Sequence, residues 1–351
     1  MAKKETKSAP KVEKGKGLDV GTAFIVCAER HGGRIAFRTQ RDAFFDIEYS
    51  DFTKQMLIKS QVNYIEKDDR LYVVGNEAME FANIFHAELR RPLKRGVISP
   101  SEKEALPMVE LIIRGVAGKP AYEGETIYFS IPGPALDANF DRVYHEKILE
   151  GMLTRLGYKA KPINEGLAVV FSDLVKEGFT GLGLSFGSGM VNVCLTYMSV
   201  PILTFCVTKA GDWIDQQVAA AVGETASRIC AIKESSLDLT KRDGLSRTEA
   251  ALSIYYDNLI EYVLAHIVRE FERNEKAPRI DKPIVIVLSG GSAMPKGFLQ
   301  RFNDVLARST FPLAVKEVRL ASQPLYGVAK GALIGATADE AKKQEQMADS
   351  T

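Results

Sequence analysis

Apolar positions along this chain recur with two periods, and the period separates strand from helix. Residues 17–20 and 23–28 are short apolar runs joined at Gly21 and Thr22, which reads as two strands and a tight turn. Residues 34–37 add a third strand, and residues 71–74 a short one followed by a helical stretch over about 77–85. A helix is predicted over 102–116, then a strand over 126–131 that stops at Pro132. Between 139 and 156, Phe140, Tyr144, Ile148, Met152 and Leu156 return every four residues, one face of a helix. The strand at 158–163 leads into a helix beginning near Glu165.

The second half repeats this plan. Strands at 181–185, 189–197 and 200–207 form a meander whose first turn is Phe186-Gly187-Ser188-Gly189. Helices follow at about 211–222, 224–234 and 247–273. A strand at 284–288, the turn Gly290-Gly291, a helix at 295–308, a strand at 312–317 and a helix at 324–336 complete it. Each half opens on a hairpin with a glycine-rich turn and continues with α/β crossovers. That predicts a duplicated α/β fold, two similar domains facing a cleft. Outside it, residues 1–16 are lysine-rich and residues 337–351 are polar without an aromatic anchor, so both ends are expected to be disordered tails.

With 351 residues the chain is long enough for two domains with real cores. Its 46 basic and 45 acidic side chains argue against a strongly basic nucleic-acid face, and no nucleic-acid partner is expected. Cys27, Cys194, Cys206 and Cys230 form no C-x-x-C pair and read as free thiols in a reducing compartment. The first 17 residues carry six lysines and two glutamates with no apolar segment behind them, so no signal peptide is read. The longest uncharged run, residues 178–208, holds eight Ser, Thr and Asn residues and five glycines, which suits buried strands rather than a membrane span. A cytoplasmic protein is expected. The N-terminus offers lysines but only Met1 and Val12 as large apolar residues before Gly17, so strong direct membrane binding is not expected.

Three turns and one carboxylate could carry chemistry. In Asp19-Val20-Gly21-Thr22, glycine lets successive amides point at an anion, and Asp19 could hold Mg²⁺ through water. Ser185-Phe186-Gly187-Ser188-Gly189-Met190 is a second glycine turn. It is not a dinucleotide fingerprint, because Asn192 occupies the third glycine position and a strand follows. No G-x-x-x-x-G-K-[ST] occurs. Ser289-Gly290-Gly291-Ser292, after an apolar strand and before a helix, lets a flat or anionic ligand approach backbone amides. Glu165, at a helix start behind a buried strand, can reach into a cleft as a general base, or simply favour the helix dipole. Each of these also has an ordinary structural reading. Arg90, Arg91, Lys94 and Arg95 read as a solvated loop, and His31, His86, His145 and His266 lack metal-ligand spacing.

The order of the pieces is more specific than any piece: D-x-G-T hairpin, I-N-E-G-L-A, G-S-G hairpin, A-G-D-x-x-D, then S-G-G-S before a helix. In this order the chain resembles the actin, DnaK-type chaperone and sugar kinase ATPase superfamily, and within it the bacterial actins MreB and MamK. Val74-Gly75-Asn76-Glu77-Ala78 and Arg91-Pro92-Leu93-Lys94-Arg95-Gly96-Val97-Ile98 are similar to MreB segments. Thr208-Lys209-Ala210-Gly211-Asp212-Trp213-Ile214-Asp215 and Cys230-Ala231-Ile232-Lys233-Glu234 are similar to MamK segments. The resemblance spans about residues 17–336.

It implies an actin-like fold with domain I over 17–163 and domain II over 164–336. Each would carry a smaller subdomain, about 35–75 and about 209–250, and the last helix would return to domain I. It further implies Mg-ATP in the cleft. Asp19, Gly21 and Thr22 match the first phosphate loop, with Asp19 toward Mg²⁺ through water, and Gly187, Ser188 and Gly189 match the second. Glu165 matches the residue that positions the attacking water. Gly211, Asp212, Lys233 and Glu234 fall on the sugar and base side, and Gly290, Gly291 and Ser292 match the adenosine motif. Self-association into filaments is the implied partnership, with a protein cargo or adaptor as a further partner. One departure stands out: the second loop usually reads D-x-G-x-G-[TS], and this chain has Ser185 and Met190 at the acid and hydroxyl positions. Loss of a supporting metal-shell group costs about 10–100-fold, so weakened hydrolysis is expected. The alternative is a non-polymerising or nucleotide-independent scaffold.

Overall fold

Two five-stranded sheets, each grown from an antiparallel meander, carry most of the chain. The computed structural model describes residues 14–85, 88–99, 101–273, 280 and 282–348. The first meander is β1 (Lys16–Val20), β2 (Phe24–His31) and β3 (Arg34–Arg41), with Leu18 opposite Cys27 and Ala28 opposite Phe37. There follow β4 (Phe44–Glu48), α1 (Asp51–Lys59), β5 (Tyr64–Lys67), β6 (Arg70–Val74) and α2 (Asn76–Ile84). These three strands pair as a separate sheet in the order β4-β6-β5, over a small core of Phe45, Leu57, Leu71, Val73 and Ala78. A two-residue-stranded hairpin, β7 (Leu93–Lys94) and β8 (Val97–Ile98), leads to α3 (Ala105–Ala117), β9 (Glu125–Ile131), α4 (Arg142–Arg155) and β10 (Tyr158–Asn164). β9 and β10 extend the first sheet in parallel, in the order β10-β9-β1-β2-β3. Helix α3 turns Met108, Val109, Ile112, Ile113 and Val116 onto this sheet, the spacing of one helical face.

The second half builds the same object. After α5 (Glu165–Asp173) come β11 (Gly181–Phe186), β12 (Val191–Tyr197) and β13 (Val200–Val207). Then follow α6 (Gly211–Val222), α7 (Ala226–Ser235), α8 (Arg247–Arg273), β14 (Ile284–Ser289), α9 (Phe298–Arg308), β15 (Val315–Leu320) and α10 (Gly327–Ala348). The order is β13-β12-β11-β14-β15, with β14 and β15 parallel, so the two sheets match strand for strand.

The halves exchange helices. α5 leaves β10 of the first sheet yet packs on β11 and β12, while α10 leaves β15 of the second sheet and lies along β1 and β9. Ala168 and Val170 of α5 share a core with Val285 and Val287, and Ala329 and Leu333 of α10 share one with Val26 and Ala28. Gly331 of α10 makes the crossing close: a Cβ there would stand 1.7 Å from the Ala168 carbonyl oxygen.

Three expectations change. β3 runs to Arg41 within the first meander, so the small sheet begins at Phe44 rather than near residue 35, and α2 closes it. Residues 337–348 are not a free tail but the end of α10, held by the Asp339–Lys161 pair and by buried Glu340, which accepts from the Thr126 amide (2.9 Å). At the other end only residues 1–13 lie outside the described residues; Lys16 is buried in β1, pairs with Glu29 (3.4 Å) and donates to the Ala117 carbonyl (2.7 Å). Polar anchoring of this kind leaves no hydrophobic period to read.

Candidate functional site

The glycine turns of both meanders point into one cavity of about 460 Å³. The first turn closes with the Gly21 amide donating to the Phe24 carbonyl (3.0 Å). Asp19, one residue before the end of β1, accepts from the Ser130 hydroxyl on β9 (2.9 Å), whose oxygen in turn accepts from the Val20 amide (2.8 Å). Thr22 Oγ1 accepts from the Gly96 amide of the β7–β8 turn (2.8 Å). In the second turn the Gly187 amide donates to the Met190 carbonyl (3.0 Å). The Gly187 carbonyl accepts from Gly211 (3.2 Å) and from the Ser292 hydroxyl (2.9 Å), and the Ser188 carbonyl from Asp212 (2.8 Å). One loop therefore clamps the start of α6 and the third turn together. Gly290, at φ +94°, needs glycine: a Cβ would stand 2.3 Å from the Phe186 carbonyl oxygen.

Glu165 opens α5, where Asn164 caps the helix by accepting from the Leu167 amide (3.1 Å). Its carboxylate is buried and accepts from the Ser185 hydroxyl (3.2 Å). Burial, then the charge of Asp19, hold Glu165 well above the ordinary carboxylate range, and burial raises Asp19 as well. Two carboxylates facing one cavity, one from each side, with raised proton affinity, form a place where a proton can be taken from water.

Asp19, Gly21, Thr22, Glu165, Gly187, Ser188, Gly189, Asp212, Lys233, Glu234, Gly290, Gly291 and Ser292 all line this cavity. Gly211 does not. It sits behind the wall, where a Cβ would meet the Ser292 hydroxyl at 2.4 Å. The Lys233 ammonium turns inward to Asp215 (2.7 Å) and the Gly211 carbonyl (3.0 Å). Glu234 is held by Arg41 of β3 (2.7 Å) and Asp212 by Arg91 (2.9 Å), so two ion pairs span the cleft.

Arg90 and Arg91 are not a solvated loop. Arg90 pairs with Asp46 (2.7 Å) and Arg91 with Asp212, while Lys94 and Arg95 are exposed. Pattern reading missed these partners because Asp212 is 121 positions away. It also missed an apolar wall of Leu237, Met294, Pro295, Leu325 and Val328, since such residues have no spacing signature. Met190, where a hydroxyl was expected, is buried under Gly96. His145 is buried, accepts from the Ile98 amide (3.3 Å) and is held by burial at about 4, so it stays neutral; His86 lies outside the described residues. Among the described residues no cluster of His, Cys, Asp and Glu could by itself hold a metal, and no helix is long and apolar enough to cross a membrane.

The family model described as Volactin matches residues 15–336. No curated protein matches. Solved structures do: a MamK double helical filament is 18% identical, with TM-score 0.70 and coverage of 92% of this chain and 98% of that one. MreB5 of Spiroplasma citri bound to ADP is 14% identical, with TM-score 0.64 and coverage of 95% and 99%. A non-polymerising MamK mutant bound to AMPPNP is 16% identical, with TM-score 0.57 and coverage of 93% and 99%. At these identities the likeness establishes the actin-like fold.

Proposed function

Because the chain belongs to the Volactin family and has an actin-like fold, we propose that it is a filament-forming cytoskeletal protein of the cytoplasm that binds Mg-ATP between its halves. The observation that carries this reading is the convergence of three glycine turns and Glu165, drawn from both halves of the chain, on one cavity. Its lining combines two chemistries. Small residues and hydroxyls at Gly21, Thr22, Gly187 and Ser188 suit phosphates, and the wall of Leu237, Met294 and Leu325 suits a flat base. Ser188 Oγ is buried without a partner among the described residues, an unfilled donor where a phosphate oxygen would lie.

The donor set fits Mg²⁺ held through water, since hard oxygens are present but too few carboxylates converge for an all-protein cage. Asp19 would hold it through water, and when bound the ion would neutralise phosphate charge. Glu165, kept in place by the helix cap and by Ser185, orients the attacking water and accepts its proton once ionised. Ser185 supplies a hydrogen bond but no charge, so turnover is slow. Closing of the halves around nucleotide would select the conformation that assembles end to end.

Two measurements test this. Purified protein should bind an ATP analogue with Mg²⁺ and release phosphate slowly, and Glu165→Gln should cut release by about 10²–10⁴-fold while binding persists. Equal phosphate release by Glu165→Gln would remove Glu165 from the chemistry. A second reading, a nucleotide-binding scaffold without turnover, is favoured by Ser185 and by Met190 filling the hydroxyl position against Gly96. Release that depends on Glu165 excludes it.

A further inference from the structure

Arg91 belongs to the first half, one residue after Arg90 bridges to Phe44. Its Nη1 nevertheless reaches Asp212 Oδ1 in the first turn of α6 in the second half, at 2.9 Å. Behind it lies Asp42, only 1% exposed. Asp42 Oδ2 accepts from the Leu93 amide (3.0 Å), two residues beyond Arg91. Asp42 Oδ1 is buried with no hydrogen-bond partner among the described residues. A buried carboxylate oxygen left bare is costly, and a guanidinium with five donors is the group best shaped to satisfy it. Burial pushes Asp42 up to about 8, with the Leu93 amide and the charge of Arg91 acting against it, and Arg91 is in turn influenced more strongly by Asp212 than by Asp42. Asp42 itself does not line the cavity.

Resting on the nucleotide reading above, we propose that Arg91 is a positioning residue with two seats, Asp212 across the cleft and Asp42 behind it. It changes seat when the sugar hydroxyls of a bound nucleotide take Asp212. With the cavity free, Arg91 ties the β7–β8 hairpin side of the first half to the start of α6. A ligand that competes for Asp212 releases this tie, and the vacant Asp42 oxygen receives the displaced guanidinium. The cost of freeing Asp212 falls, and occupancy of the cavity is reported as the loss of one of two cross-cleft ion pairs. The Arg41–Glu234 pair remains as the second.

The test is a double-mutant cycle on the full chain, read as the dissociation constant of a fluorescent ATP analogue with Mg²⁺. Asp42→Asn should weaken binding at least about fivefold in the wild-type background. It should change nothing further when Arg91 is already Gln, because no guanidinium then needs the second seat. Equal weakening in both backgrounds, or a lower melting temperature with unchanged affinity, overturns the proposal. Hydrogen exchange without nucleotide gives an independent arm. Arg91→Gln and Asp212→Asn should each speed exchange of amides at 211–215 and 92–98, and unchanged exchange in both rejects the tie; this arm stands even should Asp42→Asn not fold. Wild-type protein that binds no nucleotide defeats the functional reading, whereas binding with an additive cycle defeats the two-seat arginine alone.

Discussion

Glu165 and Ser185 decide how the proposed chemistry responds to pH. Burial and the charge of Asp19 push Glu165 up to about 8, so its ionised form grows as pH rises through that value. Phosphate release should climb across the same window, and a profile already flat from pH 6 would contradict Glu165 as the base. Stability responds to pH in the opposite direction. A carboxyl whose folded value lies above its unfolded 4.5 favours the fold at low pH, and that contribution is lost as pH rises toward about 8. Ser185→Asp should restore the charge that the second loop lacks and raise Mg-dependent release about 10–100-fold. It should lower stability without Mg²⁺, because the new carboxylate would share the buried space that Ser185 now shares with Glu165. The residues themselves were legible in sequence only as a series. D-x-G-T or S-G-G-S alone is an ordinary turn, and their order supplied the meaning. Arg91 was not legible, because its partner comes from the other half of the chain.

At the level of elements, the long apolar periods were readable and the short polar ones were not. β11, β12 and β14 are fully or almost fully buried, and their uncharged, mostly apolar or glycine-spaced sequences announce them. β5 buries none of its four residues fully and α1 only Leu57, so neither carries a period strong enough to read. From sequence the end of α10 reads as a tail because Asp339, Glu340 and Lys343 look like solvent residues, yet they bind the first sheet. Burial works to raise Glu340, but hydrogen bonds from Lys343, Thr126 and Tyr122 outweigh it and hold the carboxyl down at about 2. Its stabilising contribution is therefore present above the unfolded 4.5 and lost as pH falls toward about 2. Glu340→Gln should lower unfolding free energy by about 2 kcal/mol at neutral pH, read from urea midpoints, and an unchanged midpoint would contradict this anchoring. The helix exchange is set by close approach. Gly331→Ala would press on the Ala168 carbonyl and should destabilise by about 1–3 kcal/mol, shifting α5 and with it Glu165. Phosphate release should fall along with stability; full activity in the destabilised variant would show that the crossing does not position the site.

For the whole molecule, duplication explains the architecture and the site together. Two meanders with matching strand order face each other, their turns meet at one cavity, and each half sends a helix onto the other. Relative motion of the halves must then alter the cavity and its two cross-cleft ion pairs at once. Cleft state and cavity occupancy are thereby linked, and under the proposed function an assembly that selects one cleft state would depend on nucleotide. The most direct measurement is sedimentation of the purified chain with Mg-ATP, Mg-ADP and no nucleotide, with electron microscopy of each pellet. A nucleotide-gated polymer should form filaments that require Mg-ATP. Filaments in all three conditions, or in none, would contradict a nucleotide-gated polymer.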